Sequence, residues 1–306
     1  MDRRDFLKKG FQLSAASIAM LNGYLPNLFA RAESFYETKD LAYVTNGSPA
    51  EMVRKAVELM GGIEKFVKKG DSVAIKPNIG WARRPEQAAD TNPEVVSELI
   101  KLCKNAQAKK IMVFDNTCNE AKRCYHLSGI EKAAKEAGAD VSFVYSQKFR
   151  TVKIPNGSAI KSWEFYGDAL DADVFINVPI AKHHSLTGLT MGIKNLMGIL
   201  GGNRGQIHNN FDQKIAELNS IIRPQLTILD CVNIMLRNGP QGGNINDIKN
   251  TNTIIAGVDR VAVDSLGATL FDKKGSDIGH VREAYKIGLG EIDLTKMTIK
   301  KYNFKS

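Results

Sequence analysis

Four cysteines, Cys103, Cys118, Cys124 and Cys231, are scattered through 306 residues, and no pair has C-x-x-C spacing. This excludes a zinc knuckle and a ferredoxin-type cluster held by this chain alone. The H-E-x-x-H of a zinc protease is missing, as are G-x-x-x-x-G-K-[ST] and G-x-G-x-x-G, so neither a Walker phosphate cradle nor a dinucleotide fingerprint is encoded. The apolar stretch Phe11–Leu21 is interrupted by Ser14 and Ser17 and is too short to span a bilayer, so no stable transmembrane segment is expected in the mature chain. No run interleaves basic residues with aromatics, which argues against a nucleic-acid partner. Internal repeats are also absent.

Net charge is +9, and part of it sits at the start: Arg3, Arg4, Lys8, Lys9 and Arg31 stand against Asp2 and Asp5. Arg3-Arg4-Asp5-Phe6-Leu7-Lys8, a mildly apolar segment and then Ala30-Arg31-Ala32 follow the order of a twin-arginine signal with its cleavage site. The expectation is a leader over residues 1–32, recognition by the twin-arginine export machinery, and a mature α/β unit over 33–306, either one domain or two lobes. Its location would be periplasmic or otherwise exported. An oxidising compartment permits a disulfide, for which Cys118 and Cys124 are the local candidates. Cys103 and Cys231 are expected to be buried free thiols.

The remaining chain alternates strand and helix signals. Strands are expected at Leu41–Thr45, Ser72–Lys76, Lys110–Phe114, Val141–Tyr145, Val174–Val178, Gln225–Leu229, Thr253–Ala256 and Met297–Tyr302. Helices are expected after the capping box Ser48-Pro49-Ala50-Glu51, after Asn92-Pro93, over Asn119–Ala137 with a break at Ser128-Gly129, and over Asn209–Ile222, Asp259–Phe271 and His280–Ile287. Asn156-Gly157 between alternating runs signals a hairpin. The fold class is therefore α/β: a mostly parallel sheet covered by helices on both faces, with a small antiparallel excursion.

Chemistry concentrates in Asp173–Gly202. A buried strand ends at Pro179, and Lys182, His183 and His184 follow at once. Leu189, Ile193, Leu196 and Leu200 are spaced as one helical stripe, with Thr190 and Lys194 on another face. Gly192 and Gly198 suggest that a backbone or ligand comes close there. Ligands of open α/β sheets bind beyond the carboxyl ends of strands. Lys76 and Asn78 follow one strand, Asp115 and Asn116 another, Lys182 and His183 a third, and Asp230 a fourth. With Thr190, Lys194, Asn195 and the loop glycines Gly242 and Gly243, they form the expected ligand-binding set.

Ile75-Lys76-Pro77-Asn78, Thr91-Asn92-Pro93-Glu94, Asn177-Val178-Pro179 with Lys182 and His183, Lys194-Asn195 with Gly198, Gly239-Pro240 with Gly242-Gly243, and Asp259 through Asp264 occur in an order that resembles the bacterial and archaeal family catalogued as domain of unknown function 362. The likeness runs from about residue 40 onward. Some members of that family are fused to ferredoxin-like iron–sulfur modules. This chain lacks the cluster cysteines, so a redox role would require a separate partner protein. The family lends no established catalytic residue.

The chemistry expected from the residues is proton transfer on a small anionic ligand, a carboxylate or phosphate. A histidine titrates near neutrality, and neighbouring lysines keep its ring neutral and basic, so His183 is the expected base with Lys182 and Asp115 as its catalytic companions. Lys76 and Lys194 would anchor the anion and stabilise developing charge. A metal set drawn from His183 or His184, His208 and Asp115 or Asp230 is disfavoured by the lysines nearby, and no metal is expected. Gly188-Leu189-Thr190-Met191-Gly192 imitates a nucleophile elbow, but ten residues separate Leu189 from Val178, the end of the strand that an elbow requires. A non-catalytic ligand-binding or maturation accessory, and a redox subunit, stay open as other classes. No cofactor follows from the sequence.

Overall fold

The computed structural model describes residues 38–305. The twin-arginine motif and the leader over 1–32 lie outside them. The chain opens with strand β1 (Asp40–Thr45) and helix α1 (Pro49–Leu59). Ser48 and Glu51 cap α1 reciprocally: the Glu51 backbone N–H donates to Ser48 Oγ, and the Ser48 N–H to Glu51 Oε2. Next come β2 (Ser72–Pro77), α2 (Pro93–Asn105), β3 (Lys110–Val113), α3 (Ala121–Leu127), α4 (Ile130–Ala137) and β4 (Asp140–Val141). Gly129, at positive φ, separates α3 from α4 as the sequence predicts. The hairpin β5 (Phe149–Lys153) and β6 (Ser162–Tyr166) forms a separate two-stranded antiparallel sheet and leads into α5 (Gly167–Asp171).

The central stretch then supplies β7 (Val174–Val178), β8 (Ile180–His184), β9 (Gly188–Thr190) and the single-turn helix α6 (Gly192–Asn195). After α7 (Phe211–Leu218) follow β10 (Leu226–Met235), β11 (Ile248–Gly257), α8 (Arg260–Ala268), α9 (Gly279–Lys286) and β12 (Thr298–Asn303). The main sheet runs β12-β1-β11-β10-β7-β2-β3-β4, with β8 continuing along β10 and paired to β9. Every pairing in it is parallel except β1 with β11, β10 with β11, and β8 with β9. The α/β reading, mostly parallel with a small antiparallel excursion, is therefore the observed fold.

Strand alternation divides the core in two. Val73, Ile75, Val174, Ile176, Leu226 and Ile228 face α1, α2, α3 and α4. Ala74, Phe175, Leu229, Cys231 and Ile255 face α7, α8 and α9. Both faces are thus covered.

Two expectations about local structure change. The helix read from Leu189 exists only as α6 and a short 3₁₀ turn, Leu196–Ile199. Leu189, Ile193, Leu196 and Leu200 do share one core, so the spacing reported burial correctly and conformation wrongly. The strand does end before Pro179, but the chain re-enters the sheet at once as strand β8, because β10 is ten residues long and its edge runs on past β7.

His280 of α9 is completely buried, and neither ring nitrogen has a hydrogen-bond partner among the described residues. Its Nδ1 is 3.8 Å from Asp212 Oδ1, and the ring meets Phe211 edge-on at 5.7 Å. Burial pushes its pKa down to about 3. The unfolded imidazole takes up a proton near 6.5 while the folded one stays neutral, so its share of stability is intact above about pH 6.5 and falls on acidification at up to about 1.4 kcal/mol per pH unit. His280→Phe should therefore stabilise the fold, and by more at pH 5 than at pH 8, in urea unfolding. Parallel pH profiles for wild type and variant would remove this account of His280.

Candidate functional site

A cleft of about 470 Å³ opens beyond the carboxyl ends of β2, β3 and β7 and against β8. It gathers Lys76, Asn78, Asp115, Lys182, Thr190, Lys194 and Asn195 from the predicted set. It also takes in Asn116, which follows Asp115 at its strand end, and residues that were not singled out as ligand contacts, chiefly Cys118, His184, Arg204 and His208. Among the described residues four cations, Lys76, Lys182, Lys194 and Arg204, face a single lining carboxylate, Asp115.

Lys76 and Asp115 form a buried ion pair at 2.7 Å, each side chain almost fully enclosed. Lys76 Nζ also donates to the Pro77 carbonyl (2.6 Å) and to Asn195 Oδ1 (3.0 Å). Asp115 Oδ2 accepts the Ile79 backbone N–H at 2.6 Å. Burial lowers the Lys76 pKa and Asp115 opposes that shift. The pair is roofed by Gly198: a Cβ there would lie 1.7 Å from Asp115 Oδ1 and 2.4 Å from Lys76 Cε. The glycine thus answers a close approach, as its place in the sequence suggested.

Asn195 links the strands. Its Oδ1 accepts from Lys76 and from Asn78 Nδ2 (2.9 Å), and its Nδ2 donates to Asn177 Oδ1 (2.8 Å). Asn78 Oδ1 in turn accepts from Lys182 Nζ at 3.2 Å, and Lys182 Nζ also donates to the Ala89 carbonyl. Turn α6, which carries Lys194 and Asn195, is held by Asp264: its two oxygens accept the Gly192 and Ile193 N–H groups at 2.7 and 2.9 Å. Burial pushes the Asp264 carboxyl up to about 7. Asp264 lies within the α8 motif singled out in the sequence, and Gly192 is bare because a Cβ there would come within 2.8 Å of Asp264 Oδ1.

Several predicted residues are placed elsewhere. β8 has a two-residue side-chain period, so Lys182 and His184 share the cleft face and His183 points the other way. His183 Nδ1 accepts the Gly239 backbone N–H at 3.1 Å, a structural bond that takes the expected base out of the site. Asp230 belongs to the opposite face of the sheet, two residues after Ile228 of the α1–α4 core. Its carboxylate accepts the Asn92 and Val232 N–H groups at 2.7 and 3.0 Å, anchoring the start of α2, and burial pushes it up to about 6. Gly242 and Gly243 receive Arg83 and Gln87 on their carbonyls, and of that loop only Pro240 reaches the cleft. Cys118 and Cys124 are free thiols, not a disulfide: Cys118 is exposed at the cleft, while Cys124 is buried with its Sγ toward the Gly80 carbonyl.

His184 takes over the imidazole's place. Burial, with Lys194 and Lys182 adding to it, lowers its pKa to about 3, so the ring is neutral. Its Nδ1 accepts the Leu186 N–H at 3.2 Å, which puts the ring proton on Nε2 and makes His184 a donor. Lys182 and Thr190 are register partners across β8 and β9. The Thr190 hydroxyl is buried without a hydrogen-bond partner among the described residues. Lys182 is lowered by burial and Asp90, behind the cleft wall, is raised by burial, each partly offset by attraction to the other. The alternation rule applied to Lys182 would have found His184. Arg204 and Asp90 carried no comparable local signal, because tertiary contacts bring them in from the 3₁₀ turn Arg204–His208 and from a loop.

The family model for the domain of unknown function (DUF362) matches residues 73–269, which include every residue lining this cleft. The chain belongs to that family. A curated relative in it, the thylakoid-associated protein sll1697 of Synechocystis sp., is 29% identical over 210 residues, 66% of this chain and 64% of that protein. The match thus spans less than two thirds of the relative's own length. Among solved structures, the lactate racemase apoprotein from Thermoanaerobacterium thermosaccharolyticum aligns with a TM-score of 0.42 at 14% identity, covering 80% of this chain and 56% of that one. No helix among the described residues of this DUF362 chain is long and apolar enough to cross a membrane, and no three His, Cys, Asp or Glu side chains among them group as a metal site.

Proposed function

We propose that the cleft binds a small carboxylate or phosphate and that the chain is an enzyme transferring a proton on it. The observation that carries this reading is the unbalanced lining, four cations to one carboxylate, together with the unsatisfied Thr190 hydroxyl. Burying like charges is costly unless an anion joins them, and a buried hydroxyl without a partner costs about 1–3 kcal/mol until it gains one. Lys76 is already neutralised by Asp115, so Lys194 and Arg204 are left as anion contacts. Arg204 is set by donating to the Asn116 and Thr117 carbonyls, both at 2.7 Å.

Lys182 is the proton carrier in this scheme. Its lowered affinity for a proton, next to an Asp90 whose affinity is raised, lets a proton move at near-neutral pH. His184 Nε2–H donates to the oxygen on which charge develops. Titration with acetate and inorganic phosphate followed by calorimetry tests the binding, and Lys194→Met should weaken it roughly tenfold or more, about 1.4 kcal/mol. Proton NMR of a panel of small carboxylates in D₂O tests the chemistry: wild type should exchange an α-proton and Lys182→Met should not. Unchanged affinity in Lys194→Met refutes the site. Binding without exchange leaves a non-catalytic carrier.

A further inference from the structure

We propose that Lys194 condenses through Nζ with the ketone of a 2-oxo carboxylate, forming an imine in this cleft. The inference deepens the anion-binding reading above and depends on it. Three of the four cleft cations are committed to oxygen partners. Lys76 is paired with Asp115 and bonded to Asn195, Lys182 donates to Asn78 and Ala89, and Arg204 donates to two loop carbonyls. Lys194 alone differs. Among the described residues its one hydrogen-bond partner is Met197 Sδ at 3.7 Å, its Nζ is 5.5 Å from the centre of the Phe211 ring, and it has no carboxylate at ion-pair distance. An amine seated against a thioether and an aromatic ring, among other cations, is the setting in which a lysine becomes nucleophilic. Burial and the neighbouring Lys182 bring its pKa down to about 8, so a usable fraction is neutral near pH 7.

The remaining groups suit such a ligand. Among the described residues the Thr190 hydroxyl and His184 Nε2–H have no partner, and both can donate to a carbonyl oxygen. Arg204 and Lys182 supply charge for a carboxylate one bond away from that carbonyl. In the step, the neutral Nζ attacks the ketone carbon and the C–N bond forms as the carbonyl π bond passes to oxygen. The oxygen leaves as water, carrying the two amine hydrogens, and a C=N bond remains. No oxidant or reductant is consumed.

The test is trapping on the full chain. Wild type is incubated with pyruvate and sodium cyanoborohydride, digested and mapped by mass spectrometry. The expected result is one adduct, the mass of pyruvate less one oxygen, on Lys194, suppressed by excess acetate. Lys194→Arg should form no adduct while still binding acetate. Acetate binding without any pyruvate adduct overturns the imine and leaves the anion site standing. An adduct on Lys76 or Lys182 overturns the assignment to Lys194, and an adduct with dihydroxyacetone phosphate but not with pyruvate overturns the carboxylate class. Failure to bind acetate, phosphate or pyruvate removes both the imine and the reading beneath it.

Discussion

Gly198→Ala should unfold the cleft, lowering stability by about 3–5 kcal/mol, the loss associated with breaking a buried ion pair. The backbone is not the obstacle, because Gly198 is not among the positive-φ glycines. Space is. The added methyl would sit 1.7 Å from Asp115 Oδ1, 2.4 Å from Lys76 Cε and 2.6 Å from Lys76 Nζ. Flexible side-chain ends usually swing away from such a contact. These cannot, since Lys76 is locked by Pro77, Asn195 and Asp115, and Asp115 by Lys76 and Ile79. Relief therefore means separating the pair in an enclosed place. Gly80→Ala is the matched control in the same cleft: its Cβ would meet only Asn78 Oδ1, at an ordinary 3.4 Å. That variant should stay within about 1 kcal/mol of wild type. Urea midpoints of the two variants decide the matter, and equal midpoints would show that Gly198 is not a steric requirement.

Asp115→Ala is the second large effect, again about 3–5 kcal/mol, because it leaves Lys76 as an uncompensated cation in an almost fully buried position. Arg204 nearby adds to the repulsion. The folded lysine escapes by shedding its proton, whereas the unfolded lysine keeps its proton to about pH 10.4. Between those limits the unfolded state binds more protons, so stability of the variant rises with pH and its deficit relative to wild type should narrow toward pH 10. Adding Lys76→Met removes the orphaned charge. The double variant should recover much of the loss, and a double-mutant cycle should return a coupling of more than about 1 kcal/mol. Strict additivity of the two single changes would mean that the pair contributes nothing jointly.

Both predictions concern residues visible in the sequence, and they show what such reading reaches. Lys76, Asn78, Asp115, Lys182, Thr190, Lys194 and Asn195 were identifiable because each follows a strand signal or lies on the turn beyond one, and parallel strands deliver their ends to one edge. His183 and Asp230 failed for a common reason. Both were chosen by position along the chain, while strand side chains alternate between faces, so a shift of one residue moves a group to the other side of the sheet. His184 occupies the cleft in place of His183. The stripe Leu189–Leu200 failed differently: its spacing marked burial, but Gly188–Thr190 is drawn into β9 by pairing with β8, so the helical turn begins only at Gly192.

The α/β class, the capped starts of α1 and α2, the hairpin β5–β6 and the break at Gly129 were set by the sequence alone, since periodicity, caps and turn residues act within a few positions. Tertiary structure decided the rest: which face each polar group occupies, which lysine finds a carboxylate and which is left without one, and whether two cysteines come close enough to join. Those outcomes depend on distances between segments far apart in the chain. Local propensity holds no information about such distances; packing of the two cores around the sheet creates them.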